Sequence, residues 1–178
     1  MREFFGHYPE WQTSPDDTPY TKYYCPTAPT LNHEQDAISP VKAEELAIVI
    51  ASNELQFSST YLEPRLALSS GLRDDQGQLK AWALLHQDLG IGLVHTVDRC
   101  RGLGLAARVV TQTARNVNRE LGALGLDVVS WFAHADTSPK NIAMTGLFAK
   151  LGWRPVSTKL WIVYNKVDPK MSDMSHPP

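Results

Sequence analysis

The stretch Val97-Asp-Arg-Cys-Arg-Gly-Leu-Gly-Leu-Ala-Ala107 decides the fold of this chain. It places Gly102 and Gly104 where a predicted strand turns into the most regular predicted helix. The first backbone N–H groups of a helix have no intrahelical acceptor, and the helix dipole makes that end positive. Glycine lets an anion approach these groups closely because it has no side chain. With Arg99 and Arg101 beside them, the amides are predicted to form a socket for a phosphate or pyrophosphate.

The helix that follows the glycines is predicted from Gly102 to Leu121, with Gly122 ending it. Its apolar positions are separated by four and three residues in turn, which places them on one helix face. They are Leu103, Ala107, Val110, Ala114, Val117 and Leu121. The alternative to an anion socket is a plain β–α turn in which glycine only supplies the dihedral angles.

The elements around this centre follow from turn, cap and propensity signals. Two strands bounded by turns at 74–77 and 87–90 predict an antiparallel meander. Two Ser-Pro pairs each combine an N-cap with proline at the first helical position. The predicted strands are Leu79–Leu85, Ile91–Val97, Leu126–Ala135 and Arg154–Tyr164, and the predicted helices follow Ser39-Pro40, from Val41 to about Phe57, and Ser138-Pro139, up to Gly152.

Length and charge exclude several classes of protein. The 178 residues favour one globular unit that can bury a sizeable core. Seventeen Lys and Arg against nineteen Asp and Glu give a formal charge of −2, so no basic field favours nucleic acid. No apolar run is long enough for a membrane span, and the N-terminus lacks a signal-peptide pattern. We therefore expect a cytoplasmic protein without membrane association. Two cysteines predict neither a disulfide framework nor a metal site.

The first 31 residues have an unusual composition. Five prolines break any long helix, yet seven aromatic residues are too many for an ordinary disordered tail. We expect residues 1–32 to form an irregular arm that packs on the domain, on another chain or on an N-terminal half outside this sequence. The alternative is a leader with no role.

A second sequence block lies downstream, from Asp136 to Trp153. It contains Asn141 eleven residues before Gly152, in an ending Lys-Leu-Gly-Trp. This block and the loop Arg101-x-x-Gly104-x-Ala106 resemble the two signature blocks of the GNAT superfamily of acyl-CoA N-acyltransferases, in the family's order. The loop also fits a dinucleotide fingerprint, Gly102-x-Gly104-x-x-Ala107. That fingerprint needs a parallel βαβ unit, whereas the strands upstream form hairpins.

Within the superfamily, the runs Ala81–Leu85 and Phe132–Asp136 look most similar to the C-terminal half of glycine N-acyltransferases. The resemblance covers about residues 60–164. It implies an α/β fold, with a mixed, strongly bent central sheet flanked by helices and two splayed central strands. It also implies direct transfer of an acyl group, with acetyl first, from acyl-CoA to a small primary amine such as an amino acid, with no metal.

The same resemblance assigns the coenzyme site. The pyrophosphate is expected to bind mainly through main-chain N–H groups, and the pantetheine arm to pair with His95, Thr96 and Val97 of the strand that leads into the loop. Asn141 is expected beside the arm. The residues assigned to the pyrophosphate are Arg101, Gly102, Leu103, Gly104, Leu105 and Ala106.

The catalytic residues are harder to assign, because the chain departs from the family at two positions. Phe148 stands where a tyrosine often protonates the coenzyme sulfur, and Gly90 stands where glycine N-acyltransferases have a glutamate base. We expect His95 to be the general base, since an imidazole titrates near neutral pH. Asp88 is the second candidate. His134 and Asp136 also lie near the predicted splay, and a bystander role is the alternative for each histidine. His86, in a predicted turn, is expected to have no role.

Three functions remain open from the sequence. A small-molecule N-acyltransferase is the first, a non-catalytic acyl-CoA sensor or pseudoenzyme the second, and a protein or peptide N-acetyltransferase the third. The domain division expected is an arm over 1–32, a GNAT-type domain over 33–166 and a flexible tail over 167–178. The expected partner is a small-molecule amine, and the sequence is compatible with a homodimer.

Overall fold

A computed structural model describes residues 11–13, 19–26, 38–53, 57–125, 133–159 and 162–164. The α-helices there are α1 (Leu46–Ala51), α2 (Ser59–Leu62), α3 (Leu105–Ala123) and α4 (Ile142–Lys150). The strands there are β1 (Trp11–Thr13), β2 (Tyr20–Tyr24), β3 (Ser70–Arg73), β4 (Leu79–Leu85), β5 (Ile91–Thr96), β6 (His134–Thr137), β7 (Arg154–Lys159) and β8 (Ile162–Tyr164). Short 3₁₀ turns occupy Ala43–Glu45, Glu63–Leu68 and Asp98–Cys100.

The predicted meander is confirmed and gains a strand. β3, β4 and β5 form an antiparallel sheet in that order. The turn between β3 and β4 is closed by Asp74, whose Oδ1 accepts the N–H groups of Gln76 and Gln78 at 3.1 and 2.9 Å. Gly77 takes the left-handed conformation there, with φ 76°, which glycine adopts without strain.

This sheet has helices on both faces. Val110, Ala114 and Val117 of α3 are buried against one face, as the spacing of the apolar residues predicted, and Val109 is buried beside them. Leu103, which the same spacing assigned to this face, precedes the helix and is exposed.

The other face, which we call the α1/α2 face, packs Trp82 and Leu84 of β4 against α1 and α2. Side chains alternate along a strand, so neighbouring β4 residues belong to different hydrophobic clusters. Full burial of each such side chain stabilises the fold by about 1.5–3 kcal/mol.

Strand β5 contains a bulge. Trp82 pairs with His95, and Leu84 pairs with Gly92. Two residue steps along β4 are therefore opposite three along β5, so β5 has one extra residue. Leu93, inside the bulge, has φ 47°. A left-handed leucine is uncommon, and a bulge is a recurrent way to redirect the side chains beside a site.

A second sheet has the order β6–β2–β7, in which β2 is antiparallel to both neighbours. Residues 20–24, expected in an irregular arm, are therefore a central strand of this sheet. Within the described residues no ladder joins β5 to β6, although the two strands lie side by side. This gap corresponds to the predicted splay. β1 pairs with β8 in a further two-stranded ladder.

The two predicted Ser-Pro helix starts are wrong in position. Ser39 forms an isolated β-bridge with Gly71, and the first helical turn starts after Lys42, whose N–H is accepted by the Glu45 carboxylate at 2.7 Å. α4 is capped by Asn141 instead of Ser138. In each case another side chain, that of Glu45 or of Asn141, accepts a backbone N–H group at the start of the helix in place of the predicted serine.

Other boundaries agree only in part. The helix predicted to run to about Phe57 ends at Ala51, and the strand predicted over Arg154–Tyr164 is described as β7 and β8. α3 extends through Gly122 and ends at Ala123. Gly152, with φ 74°, follows α4 as expected.

The predicted strand over 126–132, most of the arm over 1–32 and the tail over 167–178 lie outside the described residues. Among the described helices, none has the length and apolar character needed to cross a bilayer.

Candidate functional site

The glycine loop has the geometry of an open anion socket. Gly102 and Gly104 have φ values of 79° and 76°, and a Cβ on either would meet nothing within 4 Å among the described atoms. Gly104 is the N-cap of α3 and provides no side-chain cap. The N–H groups of Leu105 and Ala106, in the first helical turn, therefore face the socket without a capping oxygen from that residue. The glycines are exposed, so a ligand can reach these groups.

Two guanidinium groups flank the socket. Arg101 forms an ion pair with Asp98 at 2.8 Å, and Arg99 forms one with Asp74 at 3.1 Å. The Arg101 pair is highly exposed, and such pairs contribute only about 0–1 kcal/mol to stability. Arg101 Nε also donates to the Thr96 carbonyl at 3.4 Å. Moving Arg101 onto a bound phosphate therefore breaks two exposed contacts and leaves that carbonyl to accept from a ligand. Leu103, between the glycines, is also exposed.

The strand before the loop presents only some of its backbone groups. The Val97 N–H donates to the Lys80 carbonyl at 2.9 Å, and the Val97 carbonyl accepts the Cys100 N–H at 2.8 Å. The Val97 N–H is therefore already used, and only the second lone pair of its carbonyl oxygen can accept a pantetheine amide N–H. Successive residues of a strand direct their hydrogen-bonding groups to opposite sides, so Thr96 turns its N–H and carbonyl away from β4. The buried Thr96 hydroxyl has no hydrogen-bond partner among the described residues. An extended polar ligand along this edge fits both features.

His95 lies on the α1/α2 face. Its imidazole stacks on Trp82, with ring centroids 4.6 Å apart. Burial lowers the pKa of His95 below its usual 6.5, and the positive charge of Arg101 lowers it further, while Asp98 opposes both effects. The ring is therefore neutral at pH 7 and able to accept a proton.

Asp88 and His134 meet beside Gly90. The His134 Nε2 lies 3.4 Å from Asp88 Oδ2, and Asp88 Oδ1 accepts the Gly90 N–H at 3.0 Å. A Cβ on Gly90 would meet Asp88 Oδ1 at 2.9 Å and His134 Nε2 at 3.1 Å. The two side chains thus fill the space into which a residue at position 90 would project. Asp88 is half-exposed, whereas His134 is buried.

His86 lies against β5, a position that the sequence did not predict. A Cβ on Gly92 would overlap His86 Nε2 and meet its Cδ2 at 2.6 Å, so the imidazole lies directly over Gly92. The His86 Nδ1 is 3.4 Å from the Tyr61 hydroxyl. The available signal was the pair Gly90 and Gly92, two residues apart and hence on one face of a strand. Two glycines at this spacing leave room on the strand for side chains of other segments. Only the folded turn shows that His86 occupies the room over Gly92.

Two other predicted positions have structural roles. The Asn141 side-chain oxygen accepts the Met144 N–H at 3.1 Å and so caps α4. Phe148 is fully buried, with its ring between Tyr23 and Trp153 at centroid distances of 4.9 and 5.0 Å. In the described part of the chain, no three His, Cys, Asp or Glu side chains come together as a metal site.

Comparisons with known proteins bear on the family and the fold of the chain. The family of FR47-like proteins matches residues 69–162, more than half of the chain, including the glycine loop and Asn141. No curated protein sequence matches the chain.

Several solved structures share the fold. A Drosophila protein from a structural genomics project has 21% identity and a TM-score of 0.66 over 85% of this chain and 51% of its own. A protein described as a GNAT-family acetyltransferase, from Novosphingobium aromaticivorans, has 18% identity and a TM-score of 0.64 over 89% of this chain and 69% of its own. A tandem GNAT protein from the clavulanic acid biosynthesis pathway has 15% identity and a TM-score of 0.55 over 93% of this chain and 59% of its own. The chain thus spans about half of the Drosophila protein.

The fold expected from the two sequence blocks is therefore confirmed. Identities at this level support the architecture, and the family match covers the strands and the helix that build the socket. The chain belongs to the FR47-like family and has the fold of the GNAT acetyltransferases.

Proposed function

We propose that this protein transfers an acyl group from acyl-CoA to the primary amine of a small molecule such as an amino acid. Acetyl is the first candidate for the acyl group. The observation that carries the proposal is the N-terminus of α3, which has no side-chain cap and follows two left-handed glycines. It lies next to the edge of β5 that joins no ladder among the described residues. Backbone N–H groups and a helix dipole at one point are a pyrophosphate site.

Acyl-CoA binds along this edge. The main-chain N–H groups over 102–106 bind the pyrophosphate, and Arg101 leaves its exposed pair with Asp98 to join them. The pantetheine arm then follows β5 back from Val97, with its amides on the groups that Thr96 directs away from β4. Asn141, at the start of α4, lies beside the arm.

The length of the arm places the thioester. About twelve bonds separate the phosphate oxygen from the sulfur, the equivalent of about four residues of extended peptide or about 14 Å. With Val97 taken as the residue beside the first phosphate oxygen, four residues back along β5 reach Leu93 in the bulge, next to Gly92. Leu93 packs on the α1/α2 face.

The chemistry is aminolysis of a thioester. The amine nitrogen attacks the carbonyl carbon, the new C–N bond forms and the C–S bond breaks. The attacking nitrogen loses one proton to a base, and the departing thiolate takes one from water. We assign the base to His95, because burial and Arg101 keep its imidazole neutral at pH 7.

Asp88 is the second candidate for the base. Its half-exposed carboxylate fills the space beside Gly90 together with His134. An isolated carboxylate with a pKa near about 4 is a weak base at neutral pH. Gly90 has no side chain that could act as a base. Asp88 and His134 bring titratable groups into the same space, which favours an enzyme over a non-catalytic sensor.

The experiment is a thiol-release assay with acetyl-CoA and longer acyl-CoAs against amino acids, other small amines, polyamines and peptides. We expect thiol release that requires an amine, with the acylated amine detected by mass spectrometry in equal amount. Tight CoA binding without turnover of any amine would support a sensor instead. Acylation of peptides but of no small amine would support a protein or peptide N-acetyltransferase.

A further inference from the structure

His86 lies against the backbone of β5 next to its bulge. Gly92 is the residue that allows this, since any Cβ there would overlap Nε2 and come within 3.1 Å of Cε1. Gly92 is followed by Leu93, whose φ of 47° marks the bulge. The imidazole edge that carries Nε2 therefore reaches the segment where the arm length places the thioester.

The proton of His86 is assigned from its contact with Tyr61. The Tyr61 hydroxyl oxygen accepts the Gln87 N–H at 3.1 Å and lies 3.4 Å from His86 Nδ1. We take Tyr61 as the donor in this second contact, which makes Nδ1 the acceptor. With Nδ1 as acceptor, the neutral ring carries its proton on Nε2. The charged ring also carries a proton there. Nε2 is a donor in both states.

The position of Tyr61 is itself fixed from two sides. Phe57 stacks on its ring at a centroid distance of 5.5 Å. The Arg65 guanidinium lies over the same ring, 4.6 Å from its centroid, and donates to the Tyr61 carbonyl. Because these contacts fix the Tyr61 ring, its hydroxyl can fix the orientation of the His86 imidazole. Tyr61 is therefore a positioning residue for His86.

We propose that His86 Nε2–H donates a hydrogen bond to the carbonyl oxygen of the bound thioester. Negative charge develops on this oxygen as the amine nitrogen attacks. When the C–S bond breaks, the oxygen's electron pair re-forms the C=O bond and the negative charge leaves on the thiolate sulfur. A fixed donor at that point stabilises the transition state more than the ground state. No proton is transferred to or from His86, so this role is complementary to that of His95. The inference rests on the acyltransferase function proposed above.

The test compares His86→Gln with His86→Leu. The glutamine amide can place an N–H near the position of Nε2, whereas leucine has no donor. We expect kcat of His86→Leu to fall about 10²–10³-fold, the usual effect of removing one oxyanion donor. His86→Gln should recover at least tenfold of that loss. CoA affinity measured by calorimetry, and the pH at which kcat falls on the acid side, should stay the same in both.

Gly92→Ala tests the same contact from the strand. Its Cβ must push the imidazole away, so kcat should fall as in His86→Leu, while CoA affinity is kept. Gly146→Ala is the matched control, because a Cβ on that glycine meets nothing within 4 Å among the described atoms. Tyr61→Phe should lower kcat less than His86→Leu does, since it removes only the orientation of the ring.

The outcomes separate the two proposals. If the wild-type protein acylates amines and His86→Leu keeps its kcat, the role of His86 is wrong and the acyltransferase function stands. A shifted acid limb in His86→Gln would also overturn the donor role, because it would make His86 a group that titrates during turnover. If the wild-type protein neither binds CoA nor releases thiol, the proposed function itself fails.

Discussion

Gly104→Val is expected to abolish CoA binding while the protein stays folded. A left-handed valine costs about 1–2 kcal/mol, which at about 2–4 °C per kcal/mol lowers Tm by about 2–8 °C. The added side chain stands in the socket and blocks at least two N–H groups of the first turn of α3. Hydrogen bonds to a charged acceptor contribute about 1.5–3 kcal/mol each, so the loss is about 3–6 kcal/mol. At 1.4 kcal/mol per tenfold, Kd should rise about 10²–10⁴-fold.

The assay is calorimetric titration with CoA, and Gly77→Val is its control. Gly77 has φ 76°, equal to that of Gly104, and a Cβ there also meets nothing within 4 Å, but it lies in the turn between β3 and β4. Both variants carry the same backbone strain, so Gly77→Val should lose a similar Tm and keep its CoA affinity. Normal CoA binding by Gly104→Val would refute the reasoning and leave the loop as a plain turn.

Further predictions concern the acid–base groups. His95→Ala should lower kcat about 10²-fold and abolish the acid limb of the pH profile, whereas an unchanged profile with a collapsed rate in Asp88→Asn would reverse the two assignments. Arg101→Gln should raise the pKa of His95 and move the acid limb of kcat/KM to higher pH, and Asp98→Asn should move it to lower pH; an NMR titration measures both shifts. Because the pKa of His95 is lowered by folding, the unfolded chain binds more protons, and this group's contribution to stability should be complete above 6.5 and fall as pH decreases through the lowered pKa. Phe148→Tyr should leave kcat unchanged and lower the free energy of unfolding by about 1–3 kcal/mol, because its hydroxyl enters a fully buried position; a faster enzyme would show that this position reaches the coenzyme sulfur.

Local signals predicted the centre of the fold. The two glycines, the strands around a four-residue turn and the spacing of apolar residues in α3 depend on dihedral angles and side-chain periodicity, which neighbouring residues determine. These elements also build the socket. The conformation of the glycine loop could therefore be predicted from the sequence, and its role in binding the coenzyme stays a prediction.

Long-range pairing could not be predicted in the same way. β2 pairs with β6, more than a hundred residues away, and its aromatic and polar residues carried no signal for a central strand. His86 belongs to the same class, since its place depends on how the turn after β4 folds back over Gly92. The cap of the first helix was missed because Glu45 binds both the Lys42 N–H and the Arg73 guanidinium, a contact between distant segments.

The most direct test of the account is a thermal unfolding measurement with CoA and, separately, with NADH. Ligand at 100 times its Kd adds about 2.7 kcal/mol to the folded state, which for a chain of this length raises Tm by about 5–11 °C. We expect this rise with CoA or acetyl-CoA and none with NADH. A rise with NADH and none with CoA would contradict it and assign the glycine loop to a dinucleotide.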